Sequence, residues 1–423
     1  MKVLHINTRQ TAGAALCAMR ISKALEAQGI DSRMLFAEGE TIPDGINGAI
    51  AEQDNSFWYY NSWLLRFKYL LVRTPFWQTM DKERLEIILK NKNKRLEKKL
   101  YLHGPFSSYK NIAHHPWVEW ADIIHLHWVT HFVDYPTFFA EVKKPIVWTL
   151  HDKFPITGIQ HYISDFYPIP VSLRDIDAFC RKIKREGVLK ARNLNIVAIS
   201  ELMENECKKS DVLKGFPVTL IHNGVNTDVF QPYNRQEARK ELNLDKDATI
   251  FFFTANSIDD ENKGFDRAVE ALSLVNAPNK MLLCIGKKGS IKKLPQSTFP
   301  ILFMEYISAP NILAKYYAAS NYFLQCSYEE TFAQAPLEAM ACGIPVISTP
   351  CSGASDLIRA FNGVICKGFD AEALAVGIRE ALATEYDTTT IRQYILGNYQ
   401  YEKIAQQYVR LYEQVAQTQY EER

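Results

Sequence analysis

The sequence predicts an α/β protein built from two doubly wound domains. Three observations carry this reading. Short, β-rich apolar runs alternate with helical patterns along the chain. Those runs are continuous rather than alternating, as expected for parallel strands covered on both faces. And 423 residues exceed one ordinary core but suit two.

Taken in order, the strands of the first half are "VLHIN", "SRMLFA", "DIIHLHW", "PIVWTLH", "NIVAIS" and "VTLIHNG". Between the first two, "AALCAMRISKALEAQG" has helical spacing and stops at Gly29, completing a βαβ unit. The second half supplies "TIFFFTAN", "MLLCIG", "ILFMEY", "YFLQC", "PVIST" and "GVICK". The polar stretch "SELMENECKKSDVLKGFP" at 200–217 reads as the boundary, so the domains are expected at 1–205 and 206–398. The tail, 399–423, contains "YEKIAQQYVRLYEQVAQ" and reads as a long amphipathic helix.

A net charge of +1 excludes gross attraction to nucleic acid, and no nucleic-acid partner is expected. The start "MKVLHINTRQ" lacks the long apolar core of a signal peptide, and no apolar run is long enough to span a bilayer. Eight cysteines are scattered with no CxxC pair, the pattern of reduced thiols in a cytoplasmic protein. Cys284 and Cys326 fall in apolar runs and read as small core residues.

The segment 51–109 breaks the alternation. "FWYYNSWLLRFKYLLVRTPFW" is dense in aromatics, and "ERLEIILKNKNKRLEKKL" is strongly basic. One reading puts the pair on an anionic membrane surface, aromatics at the interface and lysines at the headgroups. The other is a helical insertion whose aromatics pack on the first domain while its lysines face water. Periodicity does not separate them.

The stretch "YEETFAQAPLEAMACGIPVIS", 328–348, follows the strand "YFLQC". Pro336 fits a first helical turn, Gly343 a helix stop, and Pro345 prevents continuation. The loop "YEETF" therefore joins a strand's carboxyl end to a helix N-terminus, where open α/β sheets bind ligands. Unpaired N–H groups from Thr331 to Ala335 suit an anion such as a diphosphate. Glu330 and Glu338 flank that helix start. Carboxylates repel phosphate but bind vicinal hydroxyls, which a nucleotide sugar offers on both sides of its diphosphate. From spacing alone, the favoured account of the two is a loop acid and a solvated helix residue, since charged residues are usually surface.

"SYEETFAQAPLEAMACGIPVIST" resembles the glutamate-x7-glutamate signature of retaining glycosyltransferases of family four, which have the GT-B fold. "IHNGVNTDVF" is similar to that family's interdomain stretch, and "NKGFDRAVEAL" to its Lys-Gly segment opening a helix. "DIIHLHWV" and "PIVWTLHDKFPITGIQHY" resemble a subgroup that builds bacterial exopolysaccharides of the colanic-acid kind. The resemblance covers the chain except for roughly 51–109. It implies two Rossmann-like domains facing a cleft, an acceptor-side one first and a nucleotide-sugar-binding one second, with helix 399–423 packing back on the first.

Carried over residue by residue, the resemblance assigns Glu330 to hydroxyls of the transferred sugar and Glu338 to the ribose. Lys263 neutralises the diphosphate as the bond to the sugar breaks. Thr331, Phe332 and Ala333 offer backbone contacts to sugar and phosphates. His151 stands near donor sugar and acceptor, with His127 and Asp152 in similar strand-end positions; the plain alternative is a satisfied strand-end histidine. Gly13 lies where the backbone can approach the substrate. Two departures stand out. Asn256 replaces an arginine usual before the Lys-Gly pair, as it does in members of the exopolysaccharide subgroup. And "TAGAAL" has Ala14 where a second glycine is usual.

No metal and no cofactor are expected. The runs Asp175–Asp177 and Asp245–Asp247 fall in a polar helical stretch and before the strand "TIFFF", both wrong for a diphosphate-bound cation. The implied function is transfer of a sugar from a nucleoside-diphosphate sugar donor to a glycan or polyprenyl-linked glycan acceptor. Anomeric configuration would be retained, in bacterial surface polysaccharide synthesis, at the inner face of the cytoplasmic membrane if 57–100 binds lipid. Alternatives are a GT-B epimerase or phosphorylase, or a non-catalytic nucleotide-sugar-binding protein.

Overall fold

The computed structural model describes residues 1–11, 13–52, 82–95, 102–107, 109, 111–162, 166–289 and 297–421. They form two compact units, Met1–Ile221 with Ala405–Arg423, and His222–Ile404. The first holds a seven-stranded sheet of β1 Lys2–Asn7, β2 Asp31–Phe36, β3 Gly48–Ile50, β4 Ile123–Leu126, β5 Ile146–Leu150, β6 Leu194–Ala198 and β7 Val218–Leu220. Its order is β3-β2-β1-β4-β5-β6-β7, with parallel pairings throughout. Central strands are buried on both faces: Leu4, Ile6, Ile124, Leu126, Trp148 and Leu150 on one, and Val3, His5, Ile123, His125, Val147 and Thr149 on the other, are all fully buried. The helix Gly13–Glu26 shows how. Ala15, Ala18, Ile21 and Leu25 recur at helical spacing and are buried, and Gly29, at φ 81°, turns the chain out toward β2.

The second unit repeats the plan with six strands: β8 Thr249–Ser257, β9 Lys280–Lys287, β10 Ile301–Met304, β11 Tyr322–Gln325, β12 Val346–Ser348 and β13 Gly363–Ile365. They run β10-β9-β8-β11-β12-β13, again parallel. In both sheets the winding reverses beside the first strand, between β1 and β4 and between β8 and β11. Such a reversal opens a crevice at the strands' carboxyl ends.

All twelve strands expected from apolar runs are present. Among the described residues one more strand appears, β3, three half-buried residues at a sheet edge, too short to leave a periodic signal. The division between units falls at Ile221/His222 rather than at 205/206, because β7 pairs with β6 and extends the first sheet. The terminal helix Tyr401–Glu421 starts in the second unit, and its residues from Ala405 belong to the first. There Tyr408 and Tyr412 are fully buried and bond Thr149 and His125. The eight cysteines are all buried.

Most of 51–109 lies outside the described residues, including the aromatic run and the distal part of the basic one. The helix Lys82–Arg95 is described. It buries Leu85 and Leu89, four apart on one face, and exposes Lys90. Among the described residues no helix is long and apolar enough to cross a membrane.

Candidate functional site

Each unit gathers polar side chains at its switch point. In the second, β11 ends at Gln325 and the loop to the helix Gln334–Ala341 carries Glu330. Across the crevice, β8 leads to Lys263, one residue before Gly264 caps the helix Phe265–Ser273. Gly264 has φ 75°, and a Cβ there would lie 2.4 Å from the Cys326 carbonyl. Only glycine lets this turn press against the end of β11. The result is an ion pair, Lys263 Nζ to Glu330 Oε1 at 2.5 Å. The same oxygen accepts from Ser327 Oγ at 2.8 Å and Gln325 Nε2 at 3.3 Å. Burial works against the Lys263 ammonium, but the carboxylates of Glu330 and Asp260 outweigh it and hold it above its ordinary pKa.

Asn262 sews the two loops together. Its side-chain amide donates to the Glu329 carbonyl at 2.9 Å and accepts from the Glu329 N–H at 3.0 Å, while its carbonyl accepts from the Tyr328 N–H at 2.9 Å. Arg267 adds a bond to the Cys326 carbonyl at 2.5 Å and lies 3.4 Å from the Tyr328 ring centroid.

The helix Gln334–Ala341 begins at Ala333, which offers no side-chain cap, so its first N–H groups have no side-chain acceptor from that position. Phe332 and Ala333 are buried and Thr331 half-buried. Gly353 packs on this turn: a Cβ there would lie 2.6 Å from Phe332 Cα, and its N–H donates to the Glu330 carbonyl at 3.1 Å. Glu338 is not a solvated helix residue. It is 7% exposed and accepts from Tyr317 Oη at 3.3 Å. Asn256 is exposed at the end of β8, beside a register shift between Thr254 and Ser257. Gly13 is the exposed first residue of its helix, and a Cβ there would meet nothing within 4 Å, so the chain itself does not demand glycine.

In the first unit, His127 follows β4 and His151 and Asp152 follow β5. His5 of β1 completes a line of imidazoles: His5 Nδ1 lies 2.9 Å from His127 Nε2, and His127 Nδ1 lies 3.0 Å from His151 Nε2. Burial pushes His5 down to about 3 and His151 to about 4, the latter against a smaller opposing pull from Asp152; His125 and His127 fall well below 6.5. All four are neutral at pH 7. Asp152 faces a second group. Its Oδ2 accepts from Trp128 Nε1 at 2.6 Å and His161 Nδ1 at 2.5 Å. Burial opposes its charge, yet these donors and the Phe154 N–H hold its carboxyl below the ordinary value.

The loop after Asp152 is held from below by the helix Arg174–Val188. Buried Lys184 donates to the carbonyls of Phe154 at 2.6 Å and Thr157 at 3.1 Å. Asp177 accepts from the N–H groups of Gly158 and Ile159 at 2.9 and 3.1 Å. Asp177 is thereby a structural acceptor. Asp245 accepts from the Asp247 N–H and Asn279 before β8, at the opposite end of that strand from Lys263. His5, His125 and His127 each bring one nitrogen within 4.8 Å of the others, close enough for a cation. Those rings are engaged otherwise: His127 by its two neighbours, and His125 by Thr149 Oγ1 and Tyr412 Oη, both at 2.7 Å.

Sequence reasoning missed His5, Trp128, His161, Asn262, Gln325 and Ser327. One signal was available. Period-two spacing in "HLH" puts His125 and His127 on one face of β4, and parallel pairing sets His5 opposite His125. Nothing local marks the others, whose partners lie far along the chain.

Two family models match the chain: Glycosyltransferase Family 4 over residues 11–229, and Glycosyl transferases group 1 over 234–401. A curated relative, the capsular polysaccharide biosynthesis glycosyltransferase CapM of Staphylococcus aureus, is 24% identical over 211 residues, 47% of this chain and 54% of CapM. The chain spans about half the length of the curated relatives it matches. Among solved structures, sucrose-phosphate synthase from Thermosynechococcus elongatus superposes with a TM-score of 0.66 at 20% identity, covering 98% of both chains. Anabaena HepE in complex with UDP and glucose superposes at 0.64 and 14% identity, covering 98% of this chain and 100% of HepE. At these identities the two structures speak to the fold, which they share with this chain.

Proposed function

Because the chain belongs to Glycosyltransferase Family 4, we propose that it moves a sugar from a nucleoside-diphosphate sugar to a glycan or lipid-linked glycan acceptor, with retention of anomeric configuration. The observation that carries this reading is the Lys263–Glu330 pair beside a helix start that has no side-chain cap. A cation and backbone N–H groups converge there with a carboxylate, the set that a diphosphate joined to a polyhydroxylated ring calls for. Polysaccharide-building relatives such as CapM, and HepE crystallised with UDP and glucose, support the same substrate class.

In this account the diphosphate takes Lys263 Nζ and the N–H groups after Ala333. Glu330 accepts from hydroxyls of the sugar, and Glu338, already buried, from the ribose. The bond between anomeric carbon and diphosphate oxygen breaks, and its electron pair stays on the phosphate. Lys263 stabilises the charge that develops there. The acceptor oxygen attacks from the same face, and its proton passes to the departing phosphate, so no separate base is required. His151 of the first unit, neutral and hydrogen-bonded to His127, is assigned a bond to a substrate oxygen. Thr331, Phe332 and Asn256, all of the second unit, border the same ligand through backbone or exposed polar atoms. Metal is not called on, since Lys263 and the helix start supply the countercharge.

A panel of nucleotide sugars tests the reading. One donor should protect the protein against thermal unfolding, and an acceptor extract should then release its nucleoside diphosphate. Protection without acceptor-dependent release points to a non-catalytic binding protein. Epimerised donor with no transfer points to an epimerase.

A further inference from the structure

The line His5–His127–His151 contains two hydrogen bonds and three neutral rings. A neutral imidazole carries one donor and one acceptor, so setting the tautomer of one ring sets the others. Only two arrangements satisfy both bonds. In one, every ring donates from Nδ1, His5 Nε2 keeps a lone pair, and His151 presents Nδ1–H beyond the line. In the other, every ring donates from Nε2, and His151 presents a lone pair.

The far end decides between them. His5 is fully buried, and its Nε2 has no hydrogen-bond partner among the described residues. The second arrangement would leave a buried N–H without an acceptor, a rarer and costlier state than an unpaired acceptor.

We infer that His5 and His127 are positioning residues that lock His151 as the Nδ1–H tautomer, making it a hydrogen-bond donor, not a base, toward substrate oxygen. The buried end of the line has no outlet, so the line orients His151 rather than relaying a proton. His125 stands outside it, tied to Thr149 and to Tyr412 of the terminal helix. The tautomer assignment rests on the two ring-to-ring hydrogen bonds, the buried and unpartnered His5 Nε2 and the neutrality that burial imposes; its catalytic consequence rests on the transferase reading above.

Two measurements test it. Long-range proton–nitrogen correlation on protein labelled with ¹⁵N-histidine reads each ring's tautomer, with peaks assigned by single His→Asn variants. His5, His127 and His151 should all be neutral Nδ1–H rings at pH 7. An Nε2–H or doubly protonated His151 overturns the inference whether or not the protein transfers sugar. In the second measurement, His5→Leu removes the end donor, while His5→Asn restores an amide N–H near the Nδ1 position. With a working donor and acceptor, His5→Leu should lower kcat by about tenfold or more, less than the roughly 10²–10³-fold for deleting a donor at the reacting centre itself, since His5 acts through two other rings, and His5→Asn should recover most of it. Equal losses in both variants, with the His151 tautomer unchanged, would reduce His5 to a packing role.

Discussion

Glu330→Gln is the most informative single change. Glu330 Oε1 accepts from three side chains, of which Lys263 at 2.5 Å carries the charge. Glutamine keeps the size and an acceptor oxygen for Ser327 but removes the negative charge facing the ammonium. The two side chains retain 16% and 28% exposure. The stability cost therefore lies between that of a surface pair, about 0–1 kcal/mol, and that of breaking a buried one, about 3–5 kcal/mol. We expect roughly 1–3 kcal/mol, at about 2–4 °C per kcal/mol for a unit of this size. The loss of turnover should be far larger, about 10²–10³-fold, the scale for losing a preorganised polar contact to the reacting group. The assay is kcat at saturating donor, measured below the variant's own unfolding temperature. Activity within about tenfold of wild type, roughly 1.4 kcal/mol of barrier, would remove Glu330 from the reacting centre.

Other expectations follow from the same geometry. Lys263→Ala should weaken binding of the free nucleoside diphosphate and lower turnover more than it lowers melting temperature; unchanged affinity and turnover would rule out its phosphate role. Because the Lys263 pKa is raised in the folded state, its contribution to stability is complete below the ordinary lysine value and is lost as pH rises through the higher folded one; Lys263→Met should flatten that alkaline limb of the stability curve. The histidines act at the other end. His5 and His151 titrate at about 3 and about 4 when folded, so the unfolded chain takes up their protons first and stability should fall as pH drops below about 6.5; an unfolding free energy flat from pH 7 to 4 contradicts their neutral burial. Transfer should survive a strong chelator, whereas loss restored by Mg²⁺ or Mn²⁺ would call for a metal. The protein should also sediment with anionic vesicles at low salt through residues 57–100, and equal sedimentation after Lys90, Lys92, Lys94, Arg95, Lys98 and Lys99 become Gln would make that segment structural.

The strands were legible because buried parallel strands write their burial directly into sequence as unbroken apolar runs. What escaped was edge and tertiary. β3 has three residues and one exposed flank, and β7 could not be assigned to a sheet by composition, which displaced the expected boundary by a strand. Within the second unit, Glu330, Lys263 and Glu338 were singled out by the family resemblance of the Glu spacing and the Lys-Gly turn, both local patterns that spacing alone left as ordinary surface residues. The contact between Lys263 and Glu330 was not legible, since 67 positions separate them. Nor were the supports. Asn262 works through two backbone groups of Glu329, and Lys184 through two carbonyls of a loop some thirty positions away. Contacts of that kind are set by the folded path of the backbone and leave no spacing to read.

The stereochemistry of the transferred sugar tests the central claim most directly. Proton NMR of a reaction run from an α-linked nucleotide sugar resolves the anomeric signals of donor and first product. Same-face transfer, with the phosphate itself taking the acceptor's proton, predicts an α-linked product from the earliest time points, lost in Glu330→Gln. A β-linked first product would require a base on the opposite face of the ring and would contradict the mechanism assigned to Lys263, Glu330 and His151.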